Sequence, residues 1–171
     1  GQQNQNNFSI AQQSGISTTH ATGINYIDTW GKRNRLKVTG SYFFNYSENN
    51  SLSALSRQYF SKSDTTTFYN EGSNTNSVNI NHRGNFRFQF DIDSSNSVII
   101  SPRFTTQQNK RTADANGNTS TNESLVLSNT NSLNKNNNFA YNVSSEFLYR
   151  HKFKTRFRTL SFSVTPSINN R

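Results

Sequence analysis

The chain has 171 residues, of which 30% are hydrophobic and 13% aromatic, and it carries a formal net charge of +9. This aromatic content argues against a disordered chain, the absence of cysteine excludes disulfides and thiolate metal sites, and no run approaches the roughly twenty apolar residues of a membrane helix. The charge would suggest nucleic acid in a soluble protein. However, the basic residues gather at 31–35, at 151–158 and along one face of the predicted strands, so we expect no nucleic-acid partner.

The chain begins with an Asn- and Gln-rich stretch, 1–14, that has no hydrophobic period and predicts a loop or a disordered arm. Residues 16–30 predict a first strand. Its apolar and polar residues alternate less regularly than those of the later strands, because Ile27 and Asp28 break the pattern.

A turn is predicted at 31–34, and residues 35–47 then predict a second strand. Apolar and polar residues alternate along it, with Phe43 as the only violation, and this period of two is typical of a strand with one apolar face. Residues 48–76 are polar and predict a long loop.

Residues 77–93, SVNINHRGNFRFQFDID, give the clearest strand of the chain. Its apolar residues occupy even positions and its charged or amide residues occupy odd positions. The stretch is about three times as long as an ordinary strand. A long strand with one apolar and one polar face is typical of a wall between lipid and water.

A tight turn at 94–96 leads to a predicted strand at 97–107, in which Pro102 marks a local irregularity because proline lacks a ladder donor. A second long polar loop is predicted at 107–135.

Residues 139–150 predict the fifth strand, and a basic turn at 152–157 precedes the last one. The fold class is therefore all-β, an antiparallel up-and-down meander of about six long strands in three hairpins. Short turns alternate with long loops, as in transmembrane β-barrels, so residues 15–171 are predicted to form part of a barrel wall.

The alternation divides the strand side chains into two sets. The set predicted to face a wet lumen comprises Arg35, Lys37, Arg83, Arg87, Arg103, Glu146 and Arg150. The set predicted to face lipid comprises Val38, Tyr42, Phe44, Phe86, Phe88, Phe90, Phe104, Phe147 and Phe162. The cations could steer an anionic solute or pair with a plug, or they could be solvated residues of a generically polar lumen.

Aromatic residues also lie close to the short turns, where a membrane interface would favour rings with one wet edge. They are Trp30, Phe90, Tyr149 and Phe153. In a soluble protein the same residues would belong to a core.

Catalytic and metal-binding patterns are missing from the sequence. His20, His82 and His151 fall on three different predicted strands, and no His, Asp and Glu cluster has ligand spacing. There is neither a G-x-S-x-G elbow nor a plausible base partner for the many serines. We therefore expect no enzyme activity, no metal site and no cofactor.

Two stretches resemble a known family. GISTTHATGINYIDTWGKRNRLKVTGSYFFN (15–45) and NHRGNFRFQFDIDSSNSVIISPRF (81–104) are similar to the barrel region of outer-membrane β-barrel proteins related to TonB-dependent receptors, and the hairpin HKFKTRFRTLSFSV also fits. The resemblance implies a bacterial outer-membrane location and a large barrel filled by a plug. It also implies energised uptake of a bulky nutrient or metal complex.

The sequence contains no candidate plug or energy-coupling box, and six strands are fewer than the eight of the smallest barrels. We therefore expect an internal fragment of a barrel, with outer-membrane lipid, the rest of the parent barrel, its plug and a solute as partners. The alternative is a soluble or surface-exposed all-β binding or adhesion module that uses 48–76 and 107–135 as its contact surface.

Overall fold

The computed structural model describes residues 15–60, 66–121 and 125–170, and most of them are in strands. The short turn after the first strand contains one 3-10 segment, Lys32–Asn34. The strands are β1 (Ile16–Trp30), β2 (Leu36–Phe60), β3 (Thr66–Asp91), β4 (Asn96–Thr121), β5 (Val126–Lys152), β6 (Thr159–Val164) and β7 (Ser167–Asn170).

All seven strands belong to one sheet, in the order β1-β2-β3-β4-β5-β6, with β7 also paired to β5. Strands β1 to β6 each lie beside their neighbours in sequence, which confirms the predicted antiparallel up-and-down meander. The short connections β1–β2, β3–β4 and β5–β6 lie where turns were predicted.

The seventh strand continues the sixth along the same neighbour. Ser144 of β5 pairs with Ser167, and Phe147 pairs with Val164, so Thr165 and Pro166 lie opposite two residues of β5 and the register is unchanged. Pro166 has no N–H to give to the ladder, which explains the break. Its carbonyl still accepts a hydrogen bond of 3.1 Å from the Ser145 N–H.

The two predicted long loops are wrong for the residues that the structure describes. Strands β2 and β3 continue through much of 48–76, and β4 and β5 through much of 107–135. Polar residues dominate both faces in these stretches and the few apolar residues do not alternate with them, so no period of two marks them as strands. Side chains bond across the ladder instead, as in Ser53 to Ser73 at 2.9 Å and Ser56 to Asn70 at 2.6 Å. The predicted arm, 1–14, lies outside the described residues.

The chain forms two compact units. The polar unit, as we name it, contains the described residues of 1–19, 47–79 and 109–138, and it is rich in Asn, Ser and Thr. The aromatic unit contains the described residues of 20–46, 80–108 and 139–171, including all three short turns. Strands β2, β3, β4 and β5 each contribute residues to both units.

The described part of the chain buries very little apolar surface. Val38 and Ile99 are its only buried hydrophobic residues, at 5% and 2% exposure. Because every described strand belongs to one sheet, the part of the chain that is described has no second sheet to cover the apolar side chains. None of the described residues forms a helix long and apolar enough to cross a membrane.

Candidate functional site

One face of the aromatic unit is lined by rings that contact each other across strands. We call it the apolar face; it comprises the even positions of β2, β3, β4 and β6 and the odd positions of β5. Phe86 stacks on Phe104 of the next strand, with ring centroids 6.4 Å apart, and on Phe88 at 6.5 Å. Phe44 lies 5.1 Å from the ring of His82. The sequence prediction that these residues share a face therefore agrees with their contacts.

Two glycines on this face lie beneath aromatic rings. A Cβ at Gly84 would overlap the ring of Phe104, and one at Gly40 would lie 2.8 Å from the ring of Phe86. Both glycines are buried. The rings cover backbone that a glycine leaves bare, and glycine leaves room for each ring to lie flat on the sheet.

His82 is the polar exception within the row of rings. Its Nδ1 lies 2.7 Å from the hydroxyl of Tyr42 on the neighbouring strand, so the two polar groups satisfy each other. This pairing lowers the cost of placing an imidazole on an apolar surface. It agrees with a structural role for His82, and sequence parity alone could not have identified the partner.

The residues predicted to face lipid differ in exposure. Phe90, Phe147 and Phe162 are 45%, 44% and 63% exposed. Val38 was predicted to face lipid with them, but it is only 5% exposed and contributes almost nothing to the surface of this face. The half-buried members are Tyr42, Phe44, Phe86, Phe88 and Phe104.

Asp28, one of the two residues that interrupt the alternation of the first strand, has hydrogen-bond partners close to the first turn. The carboxylate of Asp28 accepts hydrogen bonds from the Tyr26 hydroxyl at 2.9 Å and from the Trp30 indole N–H at 3.0 Å. The Thr29 N–H donates a third at 2.7 Å. Each aromatic residue thus has an apolar ring and a bonded polar atom, as is usual at a membrane interface.

A second hydrogen-bond network ties the β3–β4 turn to β5. The side-chain amide of Asn96 donates to both carboxylate oxygens of Asp93, at 3.0 and 2.8 Å. Its oxygen accepts from the Tyr149 hydroxyl at 2.6 Å and lies 2.7 Å from His151 Nδ1. Asn96 therefore links a turn to the neighbouring strand through one side chain.

Hydrogen bonds from the Asn96 side chain and the Ser95 N–H lower the pKa of Asp93 below its ordinary value of 3.8. A carboxylate whose folded-state pKa is depressed stabilises the fold above the unfolded pKa and loses that contribution as the pH falls through the folded value. We therefore expect amide exchange at Ser95 and Asn96 to be slow near pH 6, after correction for intrinsic rates, and to quicken below about pH 4. Asp93→Asn should remove this pH dependence, and an unchanged profile in that variant would contradict the assignment.

The opposite face of the aromatic unit carries most of the predicted lumen cations. We call it the polar face. Arg87 and Arg103 line the same shallow pocket of about 320 Å³. Lys37 and Arg83 are exposed on the polar face, and Glu146 is half-buried there.

The two remaining predicted cations lie near the turns. Arg35 lines a pocket beside Trp30 and Phe90, and its Nη1 donates to the Ile92 carbonyl at 3.0 Å. Arg150 lines another pocket near the β3–β4 and β5–β6 turns. The structure therefore brings Arg87 and Arg103 together and separates Arg35 and Arg150 from them.

The described residues of the polar unit include an aromatic pocket that the sequence did not predict, because its residues lay mostly in a predicted loop. It is lined by Arg57, Tyr59, Tyr69 and Glu71, among others, and the Tyr69 hydroxyl donates to Glu71. This hydrogen bond to a carboxylate raises the pKa of Tyr69. The odd parity of all four residues was the available signal.

The three histidines are dispersed over the sheet. His20 stacks on Tyr46 with centroids 6.2 Å apart, while His82 and His151 have the partners described above. Within 15–60, 66–121 and 125–170, no three His, Cys, Asp or Glu residues are grouped so that they could hold a metal ion.

Comparison of the chain with protein-family models and with curated proteins finds no match.

Proposed function

We propose that this chain is part of the wall of a bacterial outer-membrane β-barrel, and that its parent protein is a receptor or transporter. The observation that carries the proposal is the short length of the apolar face along much longer strands. Strands β2, β3, β4 and β5 have 25–27 residues each. Apolar positions follow one another on this face in 36–46 of β2, 78–91 of β3, 98–104 of β4 and 139–149 of β5, and farther along the strands they are isolated, as at Leu52 and Leu133.

These apolar segments are 7 to 14 residues long, a range that includes the 9–11 residues that a tilted strand needs to cross a bilayer. A soluble sheet has no reason to restrict apolar residues to one such length next to its short turns. In a barrel the short turns next to these apolar segments would lie in the periplasm.

Aromatic residues at the turn ends of the strands support the same proposal. Trp30 and Phe90 are 46% and 45% exposed, and Phe153 is 44% exposed beside the β5–β6 turn. Tyr149 is half-buried and bonds through its hydroxyl to Asn96. Rings with an apolar body and a wet edge form the aromatic girdles of membrane barrels.

The edges of the sheet explain why the chain would be a segment of a larger wall. Within the described residues, β1 pairs only with β2, and β6 pairs only with β5. Exposed edges with unpaired N–H and C=O groups invite further strands. Six strand positions are also too few for a closed membrane barrel, so the parent would supply more strands on both sides.

Uptake of a bulky nutrient or metal complex, and a plug inside the barrel, rest on the resemblance to TonB-dependent receptors. The competing hypothesis of a soluble binding module requires a second sheet over the apolar face. The exposed Phe90, Phe147 and Phe162, with every described strand in a single sheet, favour the membrane wall.

Fractionation of cells that produce the full-length gene product tests this proposal. We expect the protein in the outer-membrane fraction, resistant to extraction with alkaline carbonate and released by detergent. A known periplasmic protein in the same cells serves as the control for lysis and washing. Recovery of the protein in the soluble fraction, monodisperse without detergent, would favour the binding module instead.

A further inference from the structure

The pocket on the polar face has the composition of an anion-binding site. Arg87 of β3 and Arg103 of β4 both line it, and no Asp or Glu does. Both arginines are exposed to solvent. The other polar residues that line the pocket are Asn25, Thr39, Ser41, Asn85 and Ser101, whose hydroxyls and amides can all donate hydrogen bonds.

The strand register places the two arginines on a diagonal. The hydrogen bond from the Ile92 N–H to the Asn96 carbonyl fixes the register between β3 and β4. The position of the Phe104 ring over Gly84 agrees with this register. In this register Ser101 lies opposite Arg87, and diagonal neighbours in a sheet are about 7–8 Å apart. An anion bound between the two guanidinium groups would offset the repulsion between their like charges.

A third cation extends the diagonal. The hydrogen bond from the Asp91 N–H to the Arg35 carbonyl fixes the register between β2 and β3. In this register Thr39 lies opposite Arg87, so Lys37 is a diagonal neighbour of Arg87. The hydrogen bond from the Lys152 N–H to the Ser95 carbonyl fixes the register between β4 and β5, and in this register Glu146 lies opposite Ser101. Glu146 is the acidic residue of this face closest in register, and it does not line the pocket.

Ser101 provides a separate observation. It is only 6% exposed, it lines the pocket, and its hydroxyl has no hydrogen-bond partner. Buried hydroxyls are usually hydrogen-bonded, so an unsatisfied one in a residue that lines a cationic pocket points to an acceptor that the described residues do not supply. Because this oxygen is closed to solvent, an anion reaches it only when the side chains around it move.

We propose that Arg87, Arg103 and Ser101 form a binding site for an oxyanion, a carboxylate or phosphate group, on the polar face of the sheet. A guanidinium binds such groups with paired, charge-assisted hydrogen bonds, and two guanidiniums that converge on one pocket can hold a single anion from two sides. The site goes beyond the proposed transport function. It requires only that this face be wet, in a barrel or in a soluble sheet.

Calorimetric titration of the full-length gene product in detergent, with inorganic phosphate and separately with succinate, tests the site. Sodium chloride at equal ionic strength is the salt control. We expect saturable binding that Arg87→Gln and Arg103→Gln each weaken at least tenfold. Arg83→Gln removes the same charge from the same strand and face but lies outside the pocket lining, so it should weaken binding by less than about threefold.

A melting curve without added anion distinguishes the two sources of the anionic group. If a free solute is the ligand, the titration detects it. If a carboxylate of the parent protein occupies the site, free anions will not bind, but Arg87→Gln and Arg103→Gln will lower the melting temperature while Arg83→Gln does not. Equal effects of all three variants in both measurements, or no effect in either, would overturn the proposal.

Discussion

Phe88→Arg is expected to impair assembly of the full-length protein in the membrane, whereas Gln89→Arg is expected to be tolerated. Phe88 lies on the apolar face, and its ring is stacked with that of Phe86 at a centroid distance of 6.5 Å. If this face contacts lipid, an arginine there costs up to about 2–4 kcal/mol near the middle of the bilayer. Gln89 points to the polar face, where another cation joins exposed arginines in water.

The comparison is read from the amount of heat-modifiable, protease-resistant protein in the outer membrane. The two variants add the same charge at adjacent positions, so a general effect of charge or of expression would affect both. Equal assembly of Phe88→Arg and the unmodified protein would contradict the lipid contact. Impaired assembly of Gln89→Arg alone would mean that the two faces are exchanged.

Gly84→Val is expected to destabilise the fold by about 1–3 kcal/mol, the usual cost of forcing extra methyl groups into a packed site. The new Cβ would occupy the space of the Phe104 ring. The ring would have to leave the sheet surface, which also removes its stacking on Phe86. Denaturant unfolding of the protein, refolded into lipid vesicles, measures the change.

Gly72→Val is the matched control on the same strand. A Cβ at Gly72 would meet no atom within 4 Å, and the residue is exposed. Valine favours strands, so this change should be neutral or slightly stabilising. A similar loss of stability in both variants would show that valine is unfavourable in β3 for a reason other than the ring above Gly84.

The sequence predicted the aromatic unit well because hydrophobic contrast exists there. Alternation along 77–93 identified a strand, its two faces and the turn that follows it, and Phe86 and Phe104 do share a face. The fold class follows from the same signal. The pattern required no knowledge of register, because side chains alternate between faces wherever a strand pairs.

The polar unit could not be recognised in the same way. Residues 48–60 and 109–121 are in strands, yet Asn, Ser and Thr dominate both faces, and the few apolar residues, such as Leu52, Leu55 and Phe60, follow no period of two. Their ladders are supported by side-chain hydrogen bonds, such as Asn76 to Asn50 at 2.7 Å. Polar composition was therefore interpreted as a loop.

Partners that depend on register were also beyond the sequence. Asn96 bonds to Tyr149 across 53 positions of the chain, and Arg87 and Arg103 line one pocket only because β3 pairs with β4. Sequence parity placed both arginines on one face. It could not separate them from Arg35, which lies beside Trp30 and Phe90 at a turn.

Lipid contact at position 88 is the most direct test of the membrane wall. The chain has no native cysteine, so Phe88→Cys and Gln89→Cys in the full-length protein can each carry one nitroxide label, provided that the parent's remaining cysteines are removed. In bilayers, we expect the label at 88 to collide more with oxygen, which concentrates in lipid, and the label at 89 to collide more with a water-soluble nickel chelate. If both labels collide mainly with the chelate, or if neither label collides with either reagent, the proposed lipid contact of this face is contradicted.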